Sequence, residues 1–529
     1  MANLLFLGAS VSQVPAIRHA RAAGHRVVAV DADPDAVGFE IADRCVNVDF
    51  AHIAEVVAAG AVHNVDGVLA VSSDRAVMPA ATIADSLGLP GIGIEVARSM
   101  TDKPTMRARF AHDGVPQPRG TVVTPDSNLD SALDGLQLPA VLKPADSGGQ
   151  RGVFLVRGRD DLDAHLEETL AFSATSRAML EEFVDGTELN GILVVRDGEP
   201  ALISLSDRLR PSGVGFGVGW AHVYPSGLPT HVLERARDIV FDAVRVLGLR
   251  DGIAFPQVIA SDDDVRIIEI AARIPAGQMA DLVRFATGIE LFDVAIAQAL
   301  GEAVPDELVT STTERPVAIR FLTAAPGVLP LGTVTRIERL DEVRSSPGVL
   351  AAGLYFGAGT TITPVQVDAD RRGYVAATAE SPERALELAD EASEKLEVHT
   401  LRPVDPAGRR RLLLSGAAAI TAVAVALILV GFTGGLRPRL VSDTISATAG
   451  RLHVHYAFNE PVRVELLVHG RPATALTSLS RSGELSWRSG SGKAGSLAIE
   501  GIDPRGRHAV FSVKTPVPAS ARERHHGAA

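Results

Sequence analysis

Among 51 basic residues only five are lysines, and two of them stand in Pro-marked contexts, Asp102-Lys103-Pro104 and Leu142-Lys143-Pro144. A chain that uses Arg almost everywhere keeps Lys where a compact ammonium is needed. Binding phosphate at a strand end is such a need. Four residues after Lys143 comes Ser147-Gly148-Gly149-Gln150-Arg151-Gly152. Glycines 148, 149 and 152 let main-chain N–H groups approach phosphate oxygens. A second glycine run, Gly213 to Gly219, alternates with other residues and suggests a mobile strand or lid; it leads into Trp220-Ala-His222-Val-Tyr-Pro225-Ser226.

The elements that must hold these groups change character along the chain. Residues 1–95 repeat strand, turn and helix, beginning with Leu4–Leu7 and Val27–Val30, which predicts a parallel α/β layer. Asp31 closes the second strand where a ribose-binding acid could stand, but the first turn lacks a full G-x-G-x-x-G. From about Met100 the pattern turns hairpin-rich. Leu138–Lys143 and Val153–Val156 flank the glycine loop, Met179–Val184 and Leu189–Val195 follow, and Arg196-Asp197-Gly198-Glu199 marks a tight turn. Ile253–Ile259 and Val265–Ala271 are predicted to form another hairpin across Ser261–Asp264, and residues 315–400 a small α+β module.

Composition bounds the rest. With 529 residues, 46% apolar and 22% charged, the chain has material for several cores. Its net charge of −13 argues against a general nucleic-acid binder. The single cysteine, Cys45, excludes an internal disulfide framework and is expected in the core.

Residues 1–400 resemble the ATP-grasp superfamily, and within it the carboxylate–amine ligases of the L-amino-acid ligase type, related to the carbamoyl-phosphate synthetase large chain. Five motifs in the family's order carry the resemblance: Asp102–Arg107; Lys143 with its glycine loop; Glu181-Glu182-Phe183-Val184 through Glu188; Gln257; and Glu269-Ile-Ala271-Ala-Arg273. The resemblance implies ATP held by Lys103, Lys143, Ser147, Gly148, Gly149 and Gly152. It implies adenine against the Glu181, Glu182, Phe183 and Val184 segment, and ribose on Glu188. Gln257 and Glu269 would hold Mg²⁺ or Mn²⁺, hard cations that take oxygen ligands. Arg273 would act on the acyl phosphate or a substrate carboxylate, and His222 would lie near the amino-acid site. Both are expected as catalytic residues. The metal motif departs from the family at Ala271, where Asn is usual, and Gln257 replaces an acid.

The implied reaction joins a small carboxylate to an amine, with amino acids as substrates, and forms ADP. Two alternatives stand beside it: a bicarbonate-activating carboxylase or carbamoyl-phosphate-type enzyme, and an ATP-binding membrane sensor without turnover.

Beyond residue 400 the electrostatics reverse. Residues 409–529 carry 16 Lys and Arg against 7 Asp and Glu. Leu412–Phe432 is a 21-residue run without a charge, flanked by Arg409–Arg411 and by Arg437 and Arg439. That length spans a hydrocarbon core of roughly 30 Å as a helix. The Arg bias places the N-terminal part in the cytosol and the tail outside. The alternation of Leu452, Val454, Tyr456 and Phe458, repeated at Val462–Val468, reads as strands.

The expected fold is therefore α/β and α+β: a preATP-grasp half-Rossmann layer (1–98), an ATP-grasp domain (99–312) and a C-terminal α+β module (313–402). A transmembrane helix (412–432), an exported all-β, immunoglobulin-like domain (437–515) and a disordered tail (516–529) complete it. The expected setting is a single-pass cell-membrane protein. Its exported domain, with its excess of Arg, suits an anionic envelope polymer.

Overall fold

The first apolar run forms an interior strand because both of its faces are covered. In the computed structural model, β1 (Asn3–Leu7) pairs in parallel with β2 (Arg26–Asp31) and β4 (Gly67–Ala70), and β3 (Arg44–Asn47) forms an edge, in the order β3-β2-β1-β4. Leu4 and Phe6 pack with Ile17 and Ala20 of helix Val14–Ala22, while Leu5 and Leu7 pack with Val56 and Ile83 on the other side. A parallel layer covered twice reads as a continuous apolar run. Asp31 accepts hydrogen bonds from the main chain of Ala9 (2.7 Å) and Asp33 (3.0 Å), so its carboxylate ties the first turn to β2. Cys45 departs from expectation: it is exposed, because β3 is an edge strand with one flank open.

The structure describes residues 1–210 and 216–401 in full and, by their backbone, strands between 440 and 513. Residues 211–215, the apolar stretch 412–432 and the tail 516–529 lie outside the described residues. Contacts divide the chain into two compact units, Met1–Pro403 and Val404–Ala529.

In the first unit, helix Lys103–Asp113 begins where Asp102 caps the Thr105 N–H (3.1 Å) and ends at Gly114, whose φ of +74° suits a left-handed C-cap. A four-stranded antiparallel sheet follows: β5 (Gly120–Val123), β6 (Ala140–Pro144), β7 (Phe154–Val156) and β8 (Ala178–Glu182), in the order β5-β8-β6-β7.

The remaining strands of this unit are β9 (Thr187–Arg196), β10 (Glu199–Leu209), β11 (Ala221–Tyr224), β12 (Gly252–Ala260), β13 (Val265–Ala271) and β14 (Val317–Leu322). After them come β15 (Gly332–Glu338), β16 (Val349–Leu354), β17 (Thr361–Ile362), β18 (Gly373–Thr378) and β19 (Glu397–Leu401). Asp197 and Gly198, at φ +52° and +86°, turn β9 into β10 through a two-residue loop of the kind that suits a twisted hairpin. Helix Thr230–Leu247 presents Val232, Ala236, Val240, Ala243, Val244 and Leu247 as one stripe, packed with Leu189, Leu193, Val258 and Ile267.

The C-terminal module is less separate than its sequence suggests. A single eight-stranded sheet runs β13-β12-β9-β10-β11-β14-β18-β16, so three strands from beyond residue 316 extend the sheet that carries the β12–β13 hairpin. This continuity brings the loop between β17 and β18 over the site.

In the second unit, β20 (Leu440–Thr448), β21 (Arg451–Val468), β22 (Arg471–Pro472), β23 (Ser480–Arg488), β24 (Leu497–Ile502) and β25 (His508–Val513) are antiparallel. The first half of β21 pairs with β20 and β23, and its second half with β22 and β24. Among the described residues, no helix is long and apolar enough to cross a membrane.

Candidate active site

A cleft of about 900 Å³ opens where the N-terminal layer, the small sheet and the eight-stranded sheet meet. Fourteen of the fifteen residues singled out from the sequence line it; Gly152 does not. Gly152 sits behind the loop at φ +65°, where a Cβ would come within 2.7 Å of Phe172, so its demand is for packing room. Gly148 does border the cleft. Its bare Cα faces the Asp74 carboxylate, and a Cβ there would collide with it.

The two lysines enter from different elements. Lys103 opens its helix, and its Nζ donates to Ser147 O (2.8 Å) and pairs with Glu269 (3.2 Å). Lys143, on β6, places its Nζ 2.7 Å from Glu181 Oε2. Glu181 also receives Arg107 in a fork, Nε at 2.7 Å and Nη2 at 3.2 Å. The Glu181 side chain is thus committed to two cations. Phe183 N–H is committed as well, donating to Pro139 O (3.0 Å), and β8 ends at Glu182, short of the predicted Val184.

This buried triad has a pH signature. Burial would raise the Glu181 carboxyl, but the Arg107 guanidinium and the Lys143 ammonium outweigh it and hold the group at about 2, against 4.5. A folded-state value below the unfolded one stabilises the protein above about pH 4.5, and that stabilisation is lost as pH falls towards about 2. The stake is on the order of 3 kcal/mol. The unfolding midpoint is expected to fall over this window, and Glu181→Gln to flatten the profile there; an unchanged slope in that variant would exclude the triad as its cause.

The β12–β13 hairpin has the predicted pairing: Gln257 on β12 stands opposite Glu269 on β13. A bulge between Gln257 and Val258 interrupts the register beside it. Gln257 Nε2 donates to Glu188 (3.2 Å) and Asn190 (3.3 Å), which leaves its Oε1 as the free ligand atom. Asn190, its oxygen so occupied, donates Nδ2 to His222 Nδ1 (3.1 Å). The imidazole proton then sits on Nε2. His222 is buried and edge-on to Phe321, with ring centroids 5.2 Å apart. Burial, with Arg371 and Arg208 nearby, lowers its pKa well below the usual imidazole value. His222 is therefore a neutral hydrogen-bond donor here, in contrast to a residue cycling its proton near pH 7.

Oxygen donors from Gln257 and Glu269, side by side on paired strands, fit one hard divalent cation that shares phosphate oxygens. Ala271 lines the same cleft and contributes no side-chain oxygen.

Arg273 ends the hairpin. Its Nη2 and Nε lie 2.6 and 2.7 Å from Asp74 Oδ1, and its guanidinium lies over the Phe255 ring at 5.6 Å. Its buried Nη1 has no partner among the described residues. A buried, unpaired guanidinium nitrogen is costly unless an anion arrives to satisfy it.

Several cleft residues had no assigned role from the sequence. Arg208 forks between Glu188 and Asp368, with Nη1 and Nη2 each at 3.1 Å from a carboxylate oxygen, and Arg210 Nε lies 3.4 Å from Glu188. Glu188 therefore carries two guanidiniums where the resemblance implied ribose. Arg107, buried and not itself on the cleft wall, could have been found, since it follows Lys103 by four residues on one helix face. Asp74, Asp368 and Arg371 carry no local signal.

Comparison with known proteins agrees with this arrangement. Three family models match in order: ATP-grasp N-terminal domain over residues 17–91, the carbamoyl-phosphate synthase L chain ATP binding domain over 102–307, and L-amino acid ligase C-terminal domain 2 over 320–401. A D-alanine–D-alanine ligase of Desulforudis audaxviator is 30% identical over 235 residues, which cover 42% of this chain and 72% of that protein. The carbamoyl phosphate synthase large chain of Vibrio parahaemolyticus is 23% identical over 340 residues, 63% of this chain and 31% of that protein. An uncharacterised Sinorhizobium fredii protein, y4rH, is 28% identical, and the match spans 60% of this chain and 64% of that protein's length. The L-amino acid ligase of Bacillus licheniformis shares the fold at a TM-score of 0.66 and 20% identity, covering 76% of this chain and 99% of that one. With the ammonium groups, glycine loop and paired oxygen ligands gathered in one cleft, these matches assign the chain to the ATP-grasp superfamily.

Proposed function

We propose that the chain is an ADP-forming ligase that joins a carboxylate to an amine, acting on amino acids or on one amino acid and a small acid. The observation that carries the reading is the composition of the cleft wall. The segment matched by the L-amino acid ligase module supplies Asp368 and Arg371 to the cleft that holds Lys103, Lys143 and Glu269.

A substrate carboxylate oxygen attacks the γ-phosphorus of ATP, the bond to ADP breaks, and an acyl phosphate forms. The amine nitrogen then attacks the acyl carbon, phosphate leaves, and the amine proton passes to solvent. Lys103 and Lys143 neutralise phosphate charge, and Arg273 Nη1 awaits an anion at the acyl end. Gln257 and Glu269 would hold Mg²⁺, which supplies further charge neutralisation at the phosphates. His222 Nε2–H orients substrate without transferring a proton.

The test is ADP release by the purified full chain over a panel of single and paired amino acids and small acids. Release that requires both an acid and an amine supports the reading; release driven by bicarbonate alone overturns it in favour of a carboxylase. A second reading, nucleotide binding without turnover, rests on Ala271. Its signature is ATP binding with no ADP from any pair until Ala271→Asn restores a ligand oxygen.

Membrane attachment belongs to the same proposal. It is supported by the length and basic flanks of 412–432, with the β-rich unit beyond it exported, immunoglobulin-like and suited to an anionic envelope polymer. Protease added to intact cells is expected to remove an epitope at the C-terminus and spare one at the N-terminus. Protection of both would sink the exported tail.

A further inference from the structure

The residue that meets Arg273 comes from a distant part of the chain. Asp74 stands 199 positions earlier, in the N-terminal layer, on the short helical turn Asp74–Ala76 that follows β4. That turn is pinned on both sides. Val71, just beyond β4, bridges to Ile274 next to the arginine, and Ser72 N–H donates to Ile274 O (2.9 Å). From within the layer, the buried Gln13 side chain donates Nε2–H to Val71 O (2.8 Å). Ser72 then turns the chain at φ +62°, a left-handed conformation that a non-glycine residue holds only where its surroundings enforce it.

The turn delivers one carboxylate oxygen to one edge of the guanidinium. Asp74 Oδ1 accepts from Arg273 Nε at 2.7 Å and lies 2.6 Å from Nη2, while the Phe255 ring covers a face at 5.6 Å. An edge held at two nitrogens and a face held by a ring leave the group little freedom to rotate. Nη1, buried and without a partner among the described residues, is thereby fixed in one direction. Among the described residues Asp74 has no other cation, so this pair is its whole commitment.

The glycine loop makes room for the arrangement. A Cβ on Gly148 would collide with Asp74 Oδ2, so the carboxylate is wedged between the arginine and the loop. The Arg273 side chain is 9% exposed and that of Asp74 27%. Asp74 offsets part of the charge that Arg273 carries. It does so from the Nε and Nη2 edge, and Nη1 is left outside the pair.

We propose that Asp74 is a positioning residue of the ligase reaction: it holds Arg273 so that Nη1 meets the anion formed at the acyl end, and itself binds neither nucleotide nor substrate. This rests on the ligase reading above. A free arginine side chain rotates about several bonds, and a donor that must be ordered during the reaction contributes less than one fixed beforehand. A carboxylate suits the task because bonds between charged partners are the stronger ones.

The experiment follows single-turnover ADP formation and steady-state KM for the full chain with a donor and acceptor pair that gives ADP. The variants are Asp74→Ala and Asp74→Asn, each alone and in an Arg273→Lys background. In Asp74→Ala the single-turnover rate is expected to fall about 10- to 100-fold, the cost of a misaimed charge, with the KM for ATP within about twofold. Asp74→Asn, which keeps an acceptor oxygen and loses the charge, falls between. In the Arg273→Lys background Nη1 is already gone, so either substitution changes the rate by less than about threefold. Single-turnover amplitude counts the folded sites, and a lower rate at full amplitude is the mark of aiming. Full multiplication of the Asp74 and Arg273 effects overturns the assignment. So does a loss confined to amplitude, or a rise of more than about tenfold in the KM for ATP or for the donor acid with the rate intact. In each of these cases the ligase reading stands. No ADP from the unsubstituted chain with any donor and acceptor overturns both.

Discussion

Lys143→Ala is expected to abolish ADP formation, by about 10³-fold or more, in a chain that still folds. Lys143 lies near the end of β6 beside the glycine loop, on the cleft wall, and in the proposed reaction its ammonium would meet the transferring phosphoryl group. Burial pushes its pKa below the ordinary lysine value, and Glu181 opposes that shift. The amine is thus a poorly solvated cation that gains on meeting phosphate. Removing it leaves Glu181 buried with Arg107 alone, a loss of about 1–3 kcal/mol that lowers the unfolding midpoint without unfolding the protein at 25 °C. Lys143→Arg is not expected to rescue activity, because the longer planar fork cannot occupy the space of a compact ammonium in a close-packed strand. Retention of more than about a tenth of the activity in either variant would remove Lys143 from the phosphate site.

Arg273→Lys is expected to lower kcat about 10²- to 10³-fold with the KM for ATP nearly unchanged. The lysine keeps a charge near Asp74 and loses the nitrogen that now lacks a partner. That nitrogen, Arg273 Nη1, is buried and unpaired among the described residues while Nε and Nη2 are both given to Asp74. An anion formed only during the reaction would satisfy it, so the loss falls on the transition state more than on nucleotide binding. Single-turnover ADP formation gives the readout. A raised KM for ATP with kcat intact would mean that Arg273 serves the nucleotide and not the acyl group.

Much of the site was legible because it is locally encoded. Lys143, its glycine loop and β7 follow one another within 14 residues, and their order survives folding. The pairing of Gln257 with Glu269 follows from a short turn between two apolar runs, since a hairpin's register is set by its loop. The N-terminal parallel layer was legible for the same reason: each strand is a continuous apolar run followed by a helix. Cys45 was misjudged because an edge strand and an interior strand look alike until the strand order is known.

The partners that decide each residue's charge and freedom lay out of reach. Glu181 and Arg107 are 74 positions apart, Arg208 and Asp368 160, and Arg273 and Asp74 199. Such pairs meet only when three sheets converge, and no periodicity or spacing reports them. Glu188 is an example: the resemblance implied a ribose role, and the two guanidiniums beside it, Arg208 and Arg210, came into view only in the folded chain.

By itself, then, the sequence determined the inventory and the order: two scarce lysines, a glycine loop, a hairpin carrying Gln257 and Glu269, and an arginine at its end. Local hydrogen bonding and hydrophobic periodicity suffice for that, because they act over a few residues. The tertiary structure alone decided which of these groups are already neutralised, which nitrogen of His222 carries the proton, and that the C-terminal strands extend the same sheet to bring Arg371 over the site. Those outcomes depend on burial and on charges brought together from distant segments, and both come into being only when the chain packs.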